Sequence, residues 1–179
     1  NHPIAANNSS KTALTWGKYL FPMSQYYNIW DTGINTVLFR YAEVLLCYAE
    51  AENELNGPSD DVYDKLNLIR NRVGMPHVDV AKYNTQDKLR ELIRRERSIE
   101  MAGEGLRRAD ILRWRDAAGK MLAETLLNGD LLRPMGTIDY AEANPYKRAV
   151  VNPNRKVLIE PRSFAPYNRY LPIPQKYRD

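Results

Sequence analysis

Glu96 and Glu100, one helical turn apart, are the carboxylates of this sequence that are best spaced to do chemistry. Two carboxyls roughly 5–9.5 Å apart can share the work of acid and of nucleophile or base at a glycosidic bond. Such a pair must flank a substrate in an open cleft. On a helical wheel of about 100° per residue, Glu96 and Glu100 instead fall in the middle of the stripe made by Leu89, Leu92, Ile93 and Ile99. A stripe of that kind faces a core, where breaking a buried pair costs roughly 3–5 kcal/mol. Cations stand close by. After the break at Gly103 and Gly105 come Arg107, Arg108, Arg113 and Arg115, on a second helix that could fold back. The planar fork of Arg holds a carboxylate bidentately. The spacing therefore predicts a structural ion-pair network of Glu96, Glu100, Arg107, Asp110 and Arg113, with no catalytic residue and with Arg107 or Arg113 as partner to the two glutamates.

Other chemistry finds little support. His2 and His77 stand in no metal-ligand spacing, and there is neither a phosphate-cradling Gly-rich loop nor a nucleophile elbow. No metal and no cofactor are expected. The single cysteine, Cys47, lies in an apolar helical run and reads as a small buried hydrophobe that cannot form an internal disulfide. Charge is mildly basic, +4 with a pI near 9.1, and Lys and Arg alternate with Glu and Asp where a nucleic-acid binder would cluster them. No run approaches the roughly 18 apolar residues of a membrane span. With 179 residues, 44% hydrophobic and 27% charged, the chain is long enough for one domain with a real core.

The elements that must position these groups are mainly helical. The expectation is a helical bundle over 36–128, preceded by an aromatic loop region at 1–35 and followed by a proline-rich irregular tail at 129–179. The loop region holds Trp16, Tyr19, Phe21, Tyr26, Tyr27 and Trp30 with Pro22 and Gly33 as breakers. Such aromatics either cap the helical core or offer flat faces to sugar rings. A helix is predicted over 36–56, with Val37, Tyr41, Val44, Tyr48, Ala51 and Leu55 on one stripe widened by Leu38, Leu45 and Ala49. So wide a face predicts burial on two sides. Its acids Glu43, Glu50, Glu52 and Glu54 read as the solvated face.

Ser59 or Asp60 caps the next helix, whose stripe is Val62, Leu66, Ile69 and Val73 and which ends at Gly74. The two make an αα-hairpin of tetratricopeptide size, the unit of an α-α superhelix, although only one such unit is visible. Thr85 caps the central helix. Helix is expected again over 106–114 and 117–127. From Asn128 onward, prolines at 134, 145, 153, 161, 166, 172 and 174 forbid a long helix and leave short extended pieces at 149–151 and 156–160. This tail is expected to wrap over the bundle, with Ile173 as an extended plug.

Three motifs in order carry a resemblance. Arg40-Tyr41-Ala42-Glu43-Val44-Leu45-Leu46 with Tyr48-Ala49-Glu50-Ala51 comes first. Arg94-Arg95-Glu96-Arg97 with Glu100, then Gly105, Arg107, Asp110 and Arg113-Trp114, comes second, and Tyr170-Leu171-Pro172-Ile173-Pro174-Gln175 closes the set. Together they resemble the C-terminal part of the SusD/RagB family, over roughly 40–175. The resemblance implies a non-enzymatic, cell-surface glycan-binding lipoprotein that works with a SusC-like TonB-dependent transporter of the outer membrane. It also implies a longer protein whose lipid anchor lies outside this chain, in keeping with a start at Asn1 without Met. Trp16, Tyr26, Tyr27 and Trp30 are the residues expected to contact the glycan. Two other classes compete: an α-helical glycoside hydrolase using the carboxylate pair, and a helical-repeat scaffold binding a protein.

Overall fold

The computed structural model describes residues 18–19, 37–144 and 147–171. Two units make up the chain, one of Phe21–Ala109 and one of Asn1–Leu20 with Asp110–Asp179.

Among the described residues the first unit is built on three helices, α1 (Tyr41–Asn56), α2 (Asp60–Arg72) and α3 (Gln86–Glu100). Local chemistry starts the last two as the sequence predicts. The Ser59 side chain accepts from the Val62 amide and the Thr85 side chain from the Lys88 amide, each at 3.4 Å, which satisfies donors that a first helical turn leaves open. Gly57, at φ +80°, supplies the left-handed backbone that ends α1 and lets α2 turn back beside it. The end of α1 is closed from α3, where the Gln86 amide donates to the carbonyls of Asn53 at 2.8 Å and Glu54 at 3.1 Å. Asn53 returns the bond, its Nδ2 donating to the Gln86 carbonyl at 3.1 Å.

The core of this unit joins Leu45, Leu46 and Ala49 of α1, Val62, Tyr63, Leu66 and Ile69 of α2, and Leu89, Leu92 and Ile93 of α3, with Val78 and Met101 from the connections. Two expectations for α1 are corrected. It begins at Tyr41, and Val37 to Arg40 lie outside it, with Arg40 extended at φ −132°, ψ 154°. The face that it buries is also not the predicted stripe, for Val37, Leu38, Tyr41, Val44, Tyr48, Ala51 and Leu55 are exposed. The helix is apolar on two sides, and α2 and α3 take the side where small Ala42 and Ala49 allow close approach. Val73, expected on the α2 stripe, is exposed as well.

In the second unit, a helix α4 (Arg107–Arg113), which starts just before the unit's boundary, is followed by a short α5 (Leu122–Leu126). The helix predicted over 117–127 is thus cut to its second half. The cause is local: Oδ1 of Asp116 accepts from the amides of Ala118 and Lys120, both at 2.9 Å, and so holds residues 117–120 in a turn. Beyond it, β1 (Gly129–Ile138) pairs antiparallel with β2 (Ala149–Arg162) in a two-stranded sheet. These strands run further than the short pieces predicted. Their prolines do not prevent it, because Pro134, Pro153 and Pro161 fall at or beside the register shifts at Leu131/Leu132 and Pro134/Met135, where the ladder of backbone bonds is already interrupted.

A small core of Ile111, Met121, Ala123 and Phe164 fills this unit. Asn128 ties its ends, the side chain accepting from the Phe164 amide at 2.7 Å and donating to the Phe164 carbonyl at 3.0 Å. Among the described residues the architecture is mainly α with one small sheet. Among the described residues no helix is long and apolar enough to cross a membrane.

Candidate functional site

The carboxylates singled out by spacing sit at the C-terminal half of α3. Glu96 is buried there, one turn beyond the core positions Leu92 and Ile93. Its partner is Arg70 in the last turn of α2, whose Nη1 lies 2.5 Å from Glu96 Oε1 while its Nε donates to the Pro76 carbonyl at 2.6 Å. Glu100 is half-buried at the end of the helix. Arg40 Nη1 reaches its Oε1 at 2.8 Å, and Arg72 Nη2 bridges both of its oxygens at 2.8 and 2.9 Å.

Arg40 carries more than one bond. Its Nη2 also donates to the Glu100 carbonyl at 2.9 Å, and Nε and Nη2 hold the Glu104 carboxylate beyond the helix. Hydrogen bonding to Glu104 pushes the Arg40 guanidinium above its ordinary pKa, against the opposing effect of burial. Arg40, Arg70 and Arg72 thus collect on Glu96, Glu100 and Glu104 at one end of the three helices. Carboxylate oxygens engaged by fixed guanidinium forks are already committed acceptors, which is an arrangement for holding helices together.

Further ion pairs run along the unit. Arg90 joins Glu54 of α1, Nε to Oε1 at 2.5 Å and Nη2 to Oε2 at 2.7 Å, and also meets Asp87. Bonding to Glu54 raises its pKa. Arg97 is buried, with Nη2 3.7 Å from Glu43 and Nη1 3.4 Å from the sulfur of Cys47. Glu43 and Glu54, expected on the solvated face of α1, therefore bind arginines of α3. Cys47 itself is exposed, contrary to its reading as a buried hydrophobe, because it lies off the Leu45, Leu46, Ala49 face.

The residues expected in the network are placed as follows. Glu96 meets Arg70, and Glu100 is held by Arg40 and Arg72, cations that the expectation of Arg107 or Arg113 did not include. Arg107 stands exposed at the start of α4. Asp110 is buried and accepts from Nη2 of Arg113, one turn along, at 3.0 Å, with the Arg113 guanidinium 5.1 Å from the Trp114 ring centroid. Ile99, at the edge of the stripe in the last turn, is 67% exposed. Trp16, Tyr26, Tyr27 and Trp30 lie outside the described residues. Sequence reasoning missed Arg40, Arg70, Arg72 and Glu104. A signal existed for Arg70 and Arg72, as cations in the last turn of a helix that hairpins toward the next. Among the described residues no group of three or more His, Cys, Asp or Glu could hold a metal ion.

Comparison with known proteins bears on the whole chain. The model of the SusD family matches residues 3–179. SusD-like protein P38 of Formosa agariphila is 38% identical over 124 residues, which is 66% of this chain and 24% of that protein. SusD-like protein P25 of the same organism is 42% identical over 81 residues, 45% of this chain and 15% of that protein. SusD-like protein P2, also of this organism, is 38% identical over 114 residues, 61% of this chain and 21% of its own length. The chain thus spans about a quarter or less of the length of these relatives. No solved structure matches it. A family model that runs through both the arginine-bound helices and the hairpin leaves one assignment, and the chain belongs to the SusD family.

Proposed function

We propose that this chain is part of a non-enzymatic protein that binds glycans or oligosaccharides at the cell surface and passes them to a SusC-like TonB-dependent transporter in the outer membrane. The observation that carries this reading is the SusD family match over residues 3–179. In such a protein a lipid anchor outside this chain tethers it to the membrane. The ion-paired state of Glu96 and Glu100 supports binding over hydrolysis, since a glycosidase pair must be free to approach a substrate oxygen. Binding asks for less: aromatic faces for the C–H surfaces of sugar rings, and a few polar groups to fix orientation. Trp16, Tyr26, Tyr27 and Trp30 are the proposed stacking residues.

The test is native affinity electrophoresis through gels carrying a panel of plant, host and microbial polysaccharides. Retardation by one polymer, lost in Trp16→Ala or Trp30→Ala and without new reducing ends, is the expected result. Release of reducing ends that stops in Glu96→Gln would replace this reading with the hydrolase. Uniform mobility in every gel would remove the glycan site from this chain.

A further inference from the structure

Beyond the hairpin the chain closes a 3-10 turn, Pro166–Arg169, and that turn is fixed at its base. Phe164 stands in the small core, held at its amide and its carbonyl by the Asn128 side chain. The Asn168 side chain accepts from the Ala165 amide at 2.7 Å, and the Tyr170 amide donates back to the Tyr167 carbonyl at 3.2 Å. Three residues make one turn of a 3-10 helix, so Tyr167 and Tyr170 come out on the same side of it. Both face solvent, Tyr167 at 74% and Tyr170 at 65% exposure, although large aromatic side chains gain much from burial. The second ring is braced. The Arg169 guanidinium lies 4.6 Å from the Tyr170 ring centroid, and its Nη2 donates to the phenol oxygen at 2.6 Å. Two exposed rings on a fixed turn have little freedom left to lose when a flat partner settles on them.

We infer that Tyr167 and Tyr170 form a stacking site for the sugar rings of a glycan chain, separate in sequence from Trp16, Tyr26, Tyr27 and Trp30; this rests on the glycan reading above. The polar edge of the pair selects the occupant. A protein segment laid over the rings would take the Arg169 guanidinium and the Tyr167 hydroxyl out of water with them, which is costly unless every polar group finds a bond. A sugar asks for no such exchange. It sets the apolar C–H face of its ring on an aromatic face and keeps its hydroxyls at the rim, where they accept from a guanidinium and trade bonds with a phenol.

Nitration of tyrosines by tetranitromethane, mapped by peptide mass spectrometry, tests the site in the protein isolated from its own cells, without and with the polysaccharide that retards it in affinity gels. Tyr167 and Tyr170 are expected to react fast in the free protein, and about 10-fold more slowly with polymer at about 10 times its dissociation constant. Exposed Tyr140 keeps its rate, and buried Tyr63 stays unmodified in both. In the gels, Tyr167→Ala with Tyr170→Ala weakens retardation about 10-fold, while the paired Phe variants keep it because stacking needs only the ring face. Tyrosines 167 and 170 that resist nitration in the free protein lie under another segment, and the site fails. Equal slowing at Tyr140 marks general coating by the polymer and overturns it as well. Unchanged nitration under a polymer whose retardation is lost in Trp16→Ala overturns this site and leaves the glycan reading standing. Uniform mobility of the wild type in every gel removes both.

Discussion

Arg40 binds Glu104 as a fork, Nε 3.0 Å from Oε2 and Nη2 2.7 Å from Oε1, across 64 residues of sequence. Its Nη1 at the same time holds Glu100 at 2.8 Å. One side chain at the entrance to α1 therefore secures the end of α3 and the turn after it. Arg40→Ala is expected to cost about 2 kcal/mol, less than the roughly 3–5 of a fully buried pair because part of the guanidinium meets solvent and Arg72 remains on Glu100. Arg40→Lys keeps the charge but loses the fork, and is expected to cost about half as much. Urea unfolding at neutral pH gives both values, and an unchanged midpoint in Arg40→Ala would show the clamp to be idle.

Glu96 and Glu100 are expected to rank in a definite order. Glu96→Ala leaves the largely covered Arg70 without its carboxylate, at a cost of about 3 kcal/mol. Glu100→Ala leaves Arg40 still bound to Glu104 and Arg72 free to turn to solvent, and is expected to cost about 1 kcal/mol. Thermal or urea unfolding of the two variants decides it. Full retention of stability in both would sink the structural role given to these glutamates.

A pH dependence follows from Tyr48, Asp61 and Lys65. Hydrogen bonds from Lys65 first and Tyr48 second hold the Asp61 carboxyl below its ordinary pKa, and the bond to Asp61 pushes the Tyr48 phenol above its own. The depressed Asp61 value means stability present above the ordinary carboxylate range and lost as pH falls through the folded value. The raised Tyr48 value means stability present below the ordinary phenol range and lost as pH rises through its folded value. Wild type and Asp61→Asn should therefore differ most near neutral pH and converge at both the acid and the alkaline end. A difference constant across all pH would exclude this linkage.

The hairpin has one position with no room for a side chain. A Cβ on Gly136 would stand 2.3 Å from the carbonyl oxygen of Val150, a backbone atom of the paired strand. Gly136→Ala should force β1 and β2 apart there, at a cost of about 1–3 kcal/mol. Amide hydrogen exchange should show lost protection around Thr137 and Val150, while the amides of α2 keep theirs. Unchanged protection in the hairpin would mean that the strands take up the added methyl group without parting.

How far the fold is legible in the sequence depends on how local each decision is. Ser59, Thr85 and Gly74 mark the ends of α2 and α3 because a cap or a left-handed residue acts on its own turn. Asp116 acts locally too, but its side chain competes with a helix that the apolar spacing of 117–127 also permits, and spacing alone does not weigh the two. The mainly helical class and the family rest on motifs that stand in the chain itself.

Partnership is where tertiary structure decides. The sequence requires that Glu96 and Glu100 find cations, since acids on an apolar stripe are costly alone, but it offers arginines before and after them at every useful distance. Packing α1 and α2 against α3 brings Arg40, Arg70 and Arg72 to those acids, a choice set by helix geometry over separations of 26 to 60 residues. The same holds for α1. Its residues determine by themselves that it is apolar on two sides, and only the approach of α2 and α3 at Ala42 and Ala49 decides that Leu45 and Leu46 go inside while Tyr41, Val44 and Leu55 stay out. Periodicity states what a face needs; which neighbour meets that need is settled by close approach in three dimensions.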